Sequence, residues 1–169
     1  MARHHKRDLT CGILGGLGPE ATIHFMQLIL TKTKELYGAS KDQDHIHTVI
    51  EMNPRVPNRN HAIFGTGEDC GPVLASMASN LAAAKVDFVV CACNTAHAFQ
   101  EDMAKGCGDD VPFVSMIDVT SNHVLIDLRE RNADMRCGIL GGGGCIEAKL
   151  YQNALSCRGI EPIIPSPKM

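Results

Sequence analysis

The segment Cys91-Ala-Cys93-Asn94-Thr95-Ala96-His97 carries the residue types in this chain best suited to chemistry. It falls where the apolar run Val86-Asp-Phe-Val-Val-Cys91 gives way to helical spacing from Asn94 to Met103. The run reads as a buried strand, and open α/β sheets bind ligands at the carboxyl ends of their strands. A cysteine at a helix N-terminus is favoured as thiolate by the positive end of the dipole. Asn94, Thr95 and the unpaired N–H groups of a first helical turn can hold a carboxylate. Cys93 is therefore the candidate reactive thiol, against the plainer reading of a buried cysteine with helix-capping neighbours. Cys91, still within the strand, is expected to pack in the core. Cys91, Cys93, His97 and Cys107 also offer sulfur and nitrogen to zinc, but the paired C-x2-C spacing of structural sites is missing, so no metal is expected.

Two further segments could bind a ligand. Asn53-Pro-Arg-Val-Pro-Asn-Arg59 must be irregular, because its two prolines break helix and central strand alike. An arginine held there is a good carboxylate fork, and physics alone does not choose between Arg55 and Arg59. Gly16-Leu17-Gly18-Pro19-Glu20-Ala21 satisfies G-x-G-x-x-A after a strand. This leaves nucleotide binding as an alternative, with Glu51 as the ribose-binding carboxylate, although it stands about 30 residues on instead of about 20. A tight turn without a ligand is the simpler reading.

The elements that must position these residues repeat. Cys11-Gly-Ile-Leu-Gly-Gly-Leu-Gly18 returns as Cys137-Gly-Ile-Leu-Gly-Gly-Gly-Gly144, each a strand feeding a glycine turn that opens a helix. Two similar α/β lobes follow. Strands are expected at Leu9–Leu14, His47–Met52, Val86–Cys91, Pro112–Ile117 and Glu161–Ile164. Helices are expected at Ala21–Leu36, Val73–Ala84, Asn94–Met103, Val119–Arg131 and Glu147–Ser156. In the first helix Ile23, Met26, Leu30 and Leu36 trace the apolar stripe. Nearly continuous apolar strands alternating with helices imply a parallel sheet covered on both faces. The fold class is thus α/β: a three-layer first lobe over residues 9–118, then a connecting helix and the start of a pseudo-symmetric, incomplete second lobe over 119–169.

Composition excludes several partners. The 169 residues are 44% apolar, enough for a sizeable core, and the net charge of −3 leaves no basic footprint for nucleic acid. No Trp, two Tyr and five Phe make base-stacking platforms unexpected. No apolar run approaches the roughly 18 residues of a spanning helix. Residues 1–8 are polar, lack a secretory h-region and read as a tail. A cytoplasmic chain with reduced thiols is expected. Most of the eight cysteines (11, 70, 91, 93, 107, 137, 145 and 157) are then small buried hydrophobes, not a disulfide framework.

Together these segments resemble the aspartate/glutamate racemase family. The matching pieces are Gly12-Ile-Leu-Gly-Gly-Leu-Gly-Pro-Glu-Ala-Thr22, Asn53-Pro-Arg-Val-Pro-Asn-Arg59, Gly65-Thr-Gly-Glu-Asp69, Cys93-Asn-Thr-Ala-His97 and Ser115-Met-Ile117. The resemblance covers about residues 9 to 165. It implies a cofactor-independent racemase of acidic amino acids, aspartate or glutamate, working as a homo-oligomer of two-lobed subunits. Two cysteines would face each other across the substrate α-carbon, because inversion needs an acid and a base on opposite sides. By motif match Cys93 is the first-lobe cysteine, and Leu17, Gly18, Arg59, Asn94 and Thr95 line the substrate.

The chain departs from the family pattern at one place. The second cysteine belongs in a Gly-Cys-Thr-Glu motif of the second lobe. Cys93 lies 81 residues beyond Gly12, so its counterpart after Gly138 falls near position 219, past Met169. Cys145 and Cys157 lie in the wrong segment, and Lys168 is no stand-in for the family's second-lobe lysine. A C-terminally truncated member is expected, of reduced activity and with apolar surface that favours self-association. The alternative is a non-catalytic remnant that binds acidic small molecules or a partner protein.

Overall fold

Residues Cys11 to Gly15 are buried without a break, as only a strand covered on both faces allows. The computed structural model describes residues 9–165, so the polar stretch 1–8 and Lys168 lie outside the described residues. The elements are β1 (Thr10–Gly15), α1 (Pro19–Tyr37), β2 (His47–Met52), α2 (Arg59–Ile63), α3 (Gly71–Ala83), β3 (Phe88–Cys91), α4 (Gln100–Cys107), β4 (Phe113–Val114), α5 (Met116–Glu130), β5 (Arg136–Gly138), α6 (Gly143–Glu147), α7 (Leu150–Ser156) and β6 (Glu161–Ile163). Short 3₁₀ turns occupy Asp42–Asp44 and Thr95–Phe99. Two compact units are formed. The first takes the chain up to Val56, then Cys70–Cys93 and Phe99–Val114; the second takes Pro57–Asp69, Asn94–Ala98 and Ser115 onward.

The first unit is a parallel sheet of order β2-β1-β3-β4. Register runs Cys11 to Thr48 on one side of β1 and Cys11 to Phe88 on the other. The connection β1–α1–β2 steps one way across the sheet and β2–α3–β3 steps back the other way. Right-handed crossovers therefore put α1 on one face and α3 and α4 on the opposite one. Ile13, Leu14, Leu74, Met77, Leu81, Val89 and Met103 fill this core, each 2% exposed or less. Pro19 begins α1, where its missing N–H is harmless, and Gly38 ends it in the left-handed region at φ 65°.

The inner line of α1 differs from the expected stripe. Thr22 and Thr33 are buried, whereas Ile23, Leu30 and Leu36 are 53%, 47% and 68% exposed. The threonines satisfy their hydroxyls locally: Thr33 donates to the Ile29 carbonyl at 2.7 Å and Thr22 to the Gly18 carbonyl at 3.1 Å. Small residues there let the helix lie close, and a Cβ at Gly15 would come within 2.6 Å of Thr22 Cγ2. The expected fourth strand, Pro112–Ile117, shrinks to Phe113–Val114. Ser115 instead caps α5, its hydroxyl accepting the Asp118 N–H at 3.4 Å.

In the second unit, β5 pairs in parallel with β6, Cys137 opposite Pro162. Ile139, Leu155 and Ile160 form its buried centre, with Val124, Leu125 and Leu128 of α5 against them. Both copies of the repeat are thus strand, glycine turn and helix, and in both the strand pairs in parallel with the next one. They then diverge. The expected helix Glu147–Ser156 is broken between α6 and α7, where Lys149 takes φ 53°, while α1 runs unbroken for 19 residues.

Five of the cysteines, Cys11, Cys70, Cys91, Cys107 and Cys145, are buried, as small hydrophobes are. Burial pushes the Cys11 thiol up to about 11 from an ordinary 9.0. The folded chain holds this proton where the unfolded chain releases it. Cys11 therefore lowers stability progressively as pH rises from about 9 to about 11. Urea midpoints measured from pH 8 to 11 should fall, and Cys11→Ala should flatten that slope.

Candidate functional site

The first unit contributes the end of its sheet. In the order β2-β1-β3-β4 the connections reverse direction between β1 and β3, and open α/β sheets bind ligands in the crevice at that reversal. Leu14 is paired with Cys91, and Ala92 N–H still donates to the Leu14 carbonyl at 3.2 Å. The chain leaves the sheet immediately afterwards, so half-buried Cys93 sits at the carboxyl end of β3 alongside the Gly15–Gly16 end of β1. Cys91 is 2% exposed and packs in the core, as expected.

The glycine turn beside it is tied down from within. Gly16 takes φ 87°, and its N–H donates to Thr22 Oγ1 at 2.9 Å. Asn53 N–H reaches the Gly15 carbonyl at 3.1 Å, carrying the β1–β2 ladder one step past the strands. A Cβ on Gly16 would lie 2.6 Å from the Asn53 backbone. Leu17 is buried at 5%, and Gly18 caps α1 with open space around its α-carbon. These contacts weaken the nucleotide alternative: the Gly16 amide that a phosphate would use is spent on Thr22. Glu51, the proposed ribose ligand, accepts from Asn80 Nδ2 at 3.2 Å.

The motif divides after its cysteine, and Asn94 and Thr95 fall in the second unit. The expected α-helix at Asn94 is a 3₁₀ turn, closed by His97 N–H to the Asn94 carbonyl at 3.0 Å, and α4 starts only at Gln100. A five-residue turn aligns fewer peptide dipoles than the helix expected there. Asn94 is exposed, and its Oδ1 accepts the Tyr151 hydroxyl at 2.6 Å. Thr95 lies against the second glycine turn: a Cβ on Gly144 would come within 3.0 Å of Thr95 Cγ2 and collide with Asn60 Oδ1. His97 is 1% exposed, and its Nε2 accepts the Met116 N–H at 3.1 Å, which ties the turn to the start of α5. An imidazole accepting at Nε2 carries its proton on Nδ1.

Arg59 opens α2, a short helix absent from the sequence reading. Asn58 caps it, with Oδ1 accepting from Asn60 and His61 N–H at 3.0 and 3.2 Å. Half-buried Arg59 donates from Nη1 to the Pro57 carbonyl at 3.0 Å, whereas Arg55 is exposed in an Asx turn on Asn53. An apolar cleft of about 440 Å³ in the second unit is lined by Phe64, Ile139, Leu140 and Ile146. None of the residues expected to bind substrate lines it. Sequence reasoning passed over Tyr151 and treated His97 only as a metal ligand. The available signals were the scarcity of tyrosine and the short reach from the Ser115 cap back to the motif.

The first unit is a doubly wound parallel sheet of the α/β class with a half-buried thiol, Cys93, at the carboxyl end of β3. The family model for Asp/Glu/hydantoin racemases matches residues 14–169, and the chain belongs to that family. It is 28% identical over 152 residues to the broad specificity amino-acid racemase RacX of Bacillus subtilis (strain 168), covering 90% of this chain and 63% of that relative. Picrophilus torridus aspartate racemase superposes with a TM-score of 0.77 at 26% identity, covering 94% of this chain and 63% of the other. An aspartate racemase homologue from Pyrococcus horikoshii OT3 shares the fold, with a TM-score of 0.72 at 22% identity and coverage of 94% and 65%. The chain thus spans less than two thirds of the length of these relatives. Among the described residues no helix is long and apolar enough to cross a membrane.

Proposed function

We propose that the chain acts in the cofactor-independent racemisation of acidic amino acids, aspartate or glutamate, with Cys93 as the thiol on one face of the α-carbon. The observation that carries this reading is the position of Cys93 at the carboxyl end of β3, where the sheet order reverses. The Cys93 thiolate takes the α-proton and becomes a thiol. The electron pair left on carbon delocalises into the α-carboxylate, and a proton delivered to the opposite face completes inversion. The family resemblance assigns Asn94, Thr95 and Arg59 to the substrate carboxylates, and Leu17 and Gly18 to substrate binding. The lobes are proposed to run over 9–118 and from 119 onward, with the strand–glycine–helix unit starting at Thr10 in the first and at Arg136 in the second. The enzyme is expected to work in the cytoplasm as a homo-oligomer, and the exposed Ile23, Leu30 and Leu36 of α1 give it apolar surface for self-association.

Thiol alkylation tests the site. In the native chain Cys93 and exposed Cys157 should react at neutral pH, while buried Cys11, Cys70, Cys91, Cys107 and Cys145 stay protected. L-aspartate or L-glutamate should slow modification of Cys93 and leave Cys157 unchanged, as read by peptide mass spectrometry. Equal rates at Cys93 with and without both amino acids would remove the substrate reading.

A further inference from the structure

Asn94 is the exposed carboxamide of the motif, and its hydrogen-bond partner lies far along the chain. The Tyr151 hydroxyl on α7 donates to Asn94 Oδ1 at 2.6 Å across a separation of 57 residues. The ring itself packs against the buried centre of Ile139, Leu155 and Ile160, which holds the hydroxyl in place. Burial raises the phenol above its ordinary value, with the negative form of Cys145 adding to the effect, so it remains a donor at neutral pH.

An amide with its oxygen engaged in this way has its NH₂ facing elsewhere. We propose that Tyr151 is a positioning residue: by donating to Asn94 Oδ1 it orients the amide so that Nδ2 presents its two N–H groups to a carboxylate of the amino-acid substrate. This rests on the reading of Asn94 as a carboxylate ligand given above. Without Tyr151 the amide rotates freely, and half of its orientations offer oxygen to an anion. The second unit thereby prepares a donor for substrate from a residue that never touches it.

The test uses the full 169-residue chain labelled with ¹⁵N. The side-chain NH₂ resonances of Asn94 are identified by their loss in Asn94→Asp. Tyr151→Phe should displace this pair toward the position of free carboxamides and leave the backbone spectrum in place. Titration with L-aspartate should move the pair in the parent chain, with affinity about fivefold or more weaker in Tyr151→Phe, the scale of one lost hydrogen bond to a charged ligand system. In an Asn94→Ala background the same change should cost less than about twofold, because Tyr151 acts only through Asn94. A merely structural role would leave the cost equal in both backgrounds. Should Tyr151→Phe fail to fold, Tyr151→Leu decides: weaker binding with a displaced Asn94 pair supports the inference, and unchanged affinity overturns it. Binding by the parent chain that Tyr151→Phe leaves intact defeats the positioning role alone. An Asn94 pair that responds to neither L-aspartate nor L-glutamate in the parent chain defeats that role together with the carboxylate reading.

Discussion

Cys93→Ser is expected to lower α-proton exchange on L-aspartate or L-glutamate by about 10²- to 10⁴-fold, the usual contribution of a positioned general base. A serine hydroxyl keeps the size of the thiol but ionises several units higher, so the base is lost at neutral pH while the fold remains. The measurement is incubation in D₂O, with mass spectrometry for deuterium and chiral chromatography for the D-enantiomer. These readouts separate two steps that an optical assay merges. Of the eight cysteines in the 169-residue chain, only Cys93 stands in a family cysteine motif. Exchange with retention should therefore outpace inversion, since a lone thiol returns the proton to the face it came from. Rapid formation of the D-enantiomer, abolished by Cys93→Ser, would require a second acid on the far face, most simply from another subunit. Deuterium incorporation unaffected by Cys93→Ser would remove Cys93 from the chemistry altogether.

Gly16→Ala is expected to cost about 4 kcal/mol of stability, combining left-handed backbone strain with an overpacked contact. Gly16 sits at φ 87°, and an added Cβ would lie 2.6 Å from both the nitrogen and the carbonyl carbon of Asn53. The opposing atoms are backbone, held by the Asn53 N–H bond to the Gly15 carbonyl, so no side chain can swing aside. Gly18→Ala, at φ −102° with nothing within 4 Å of the new Cβ, should cost far less. Urea denaturation of the two variants beside the parent chain checks the contrast. Similar costs at both positions would show that the first glycine turn is looser than its hydrogen bonds indicate.

Much of this protein was legible from local pattern. The unbroken apolar run of β1, the Pro19 start and Gly38 end of α1, and the placement of Cys93 just past a strand all follow from interactions within a few residues. So does the recurrence of strand, glycine turn and helix at Cys137, since the same short sequence meets the same steric limits twice. Fold class and the candidate thiol follow from these features alone. Tertiary structure decided which groups share a partner. Helical periodicity marked Ile23, Leu30 and Leu36 as the buried stripe of α1, yet close approach to Gly15 selected the Thr22 and Thr33 side. Ser115 could read as the end of a strand or the cap of a helix, and the Asp118 N–H together with His97 at Met116 settled it as a cap. The hydrogen bond from Tyr151 to Asn94 leaves no local trace, because α4, β4, α5, β5 and α6 all lie between its two ends in the chain. Short-range sterics and hydrogen bonding write elements into a sequence, whereas the orientation of a side chain in a site depends on loop closures that no local window contains.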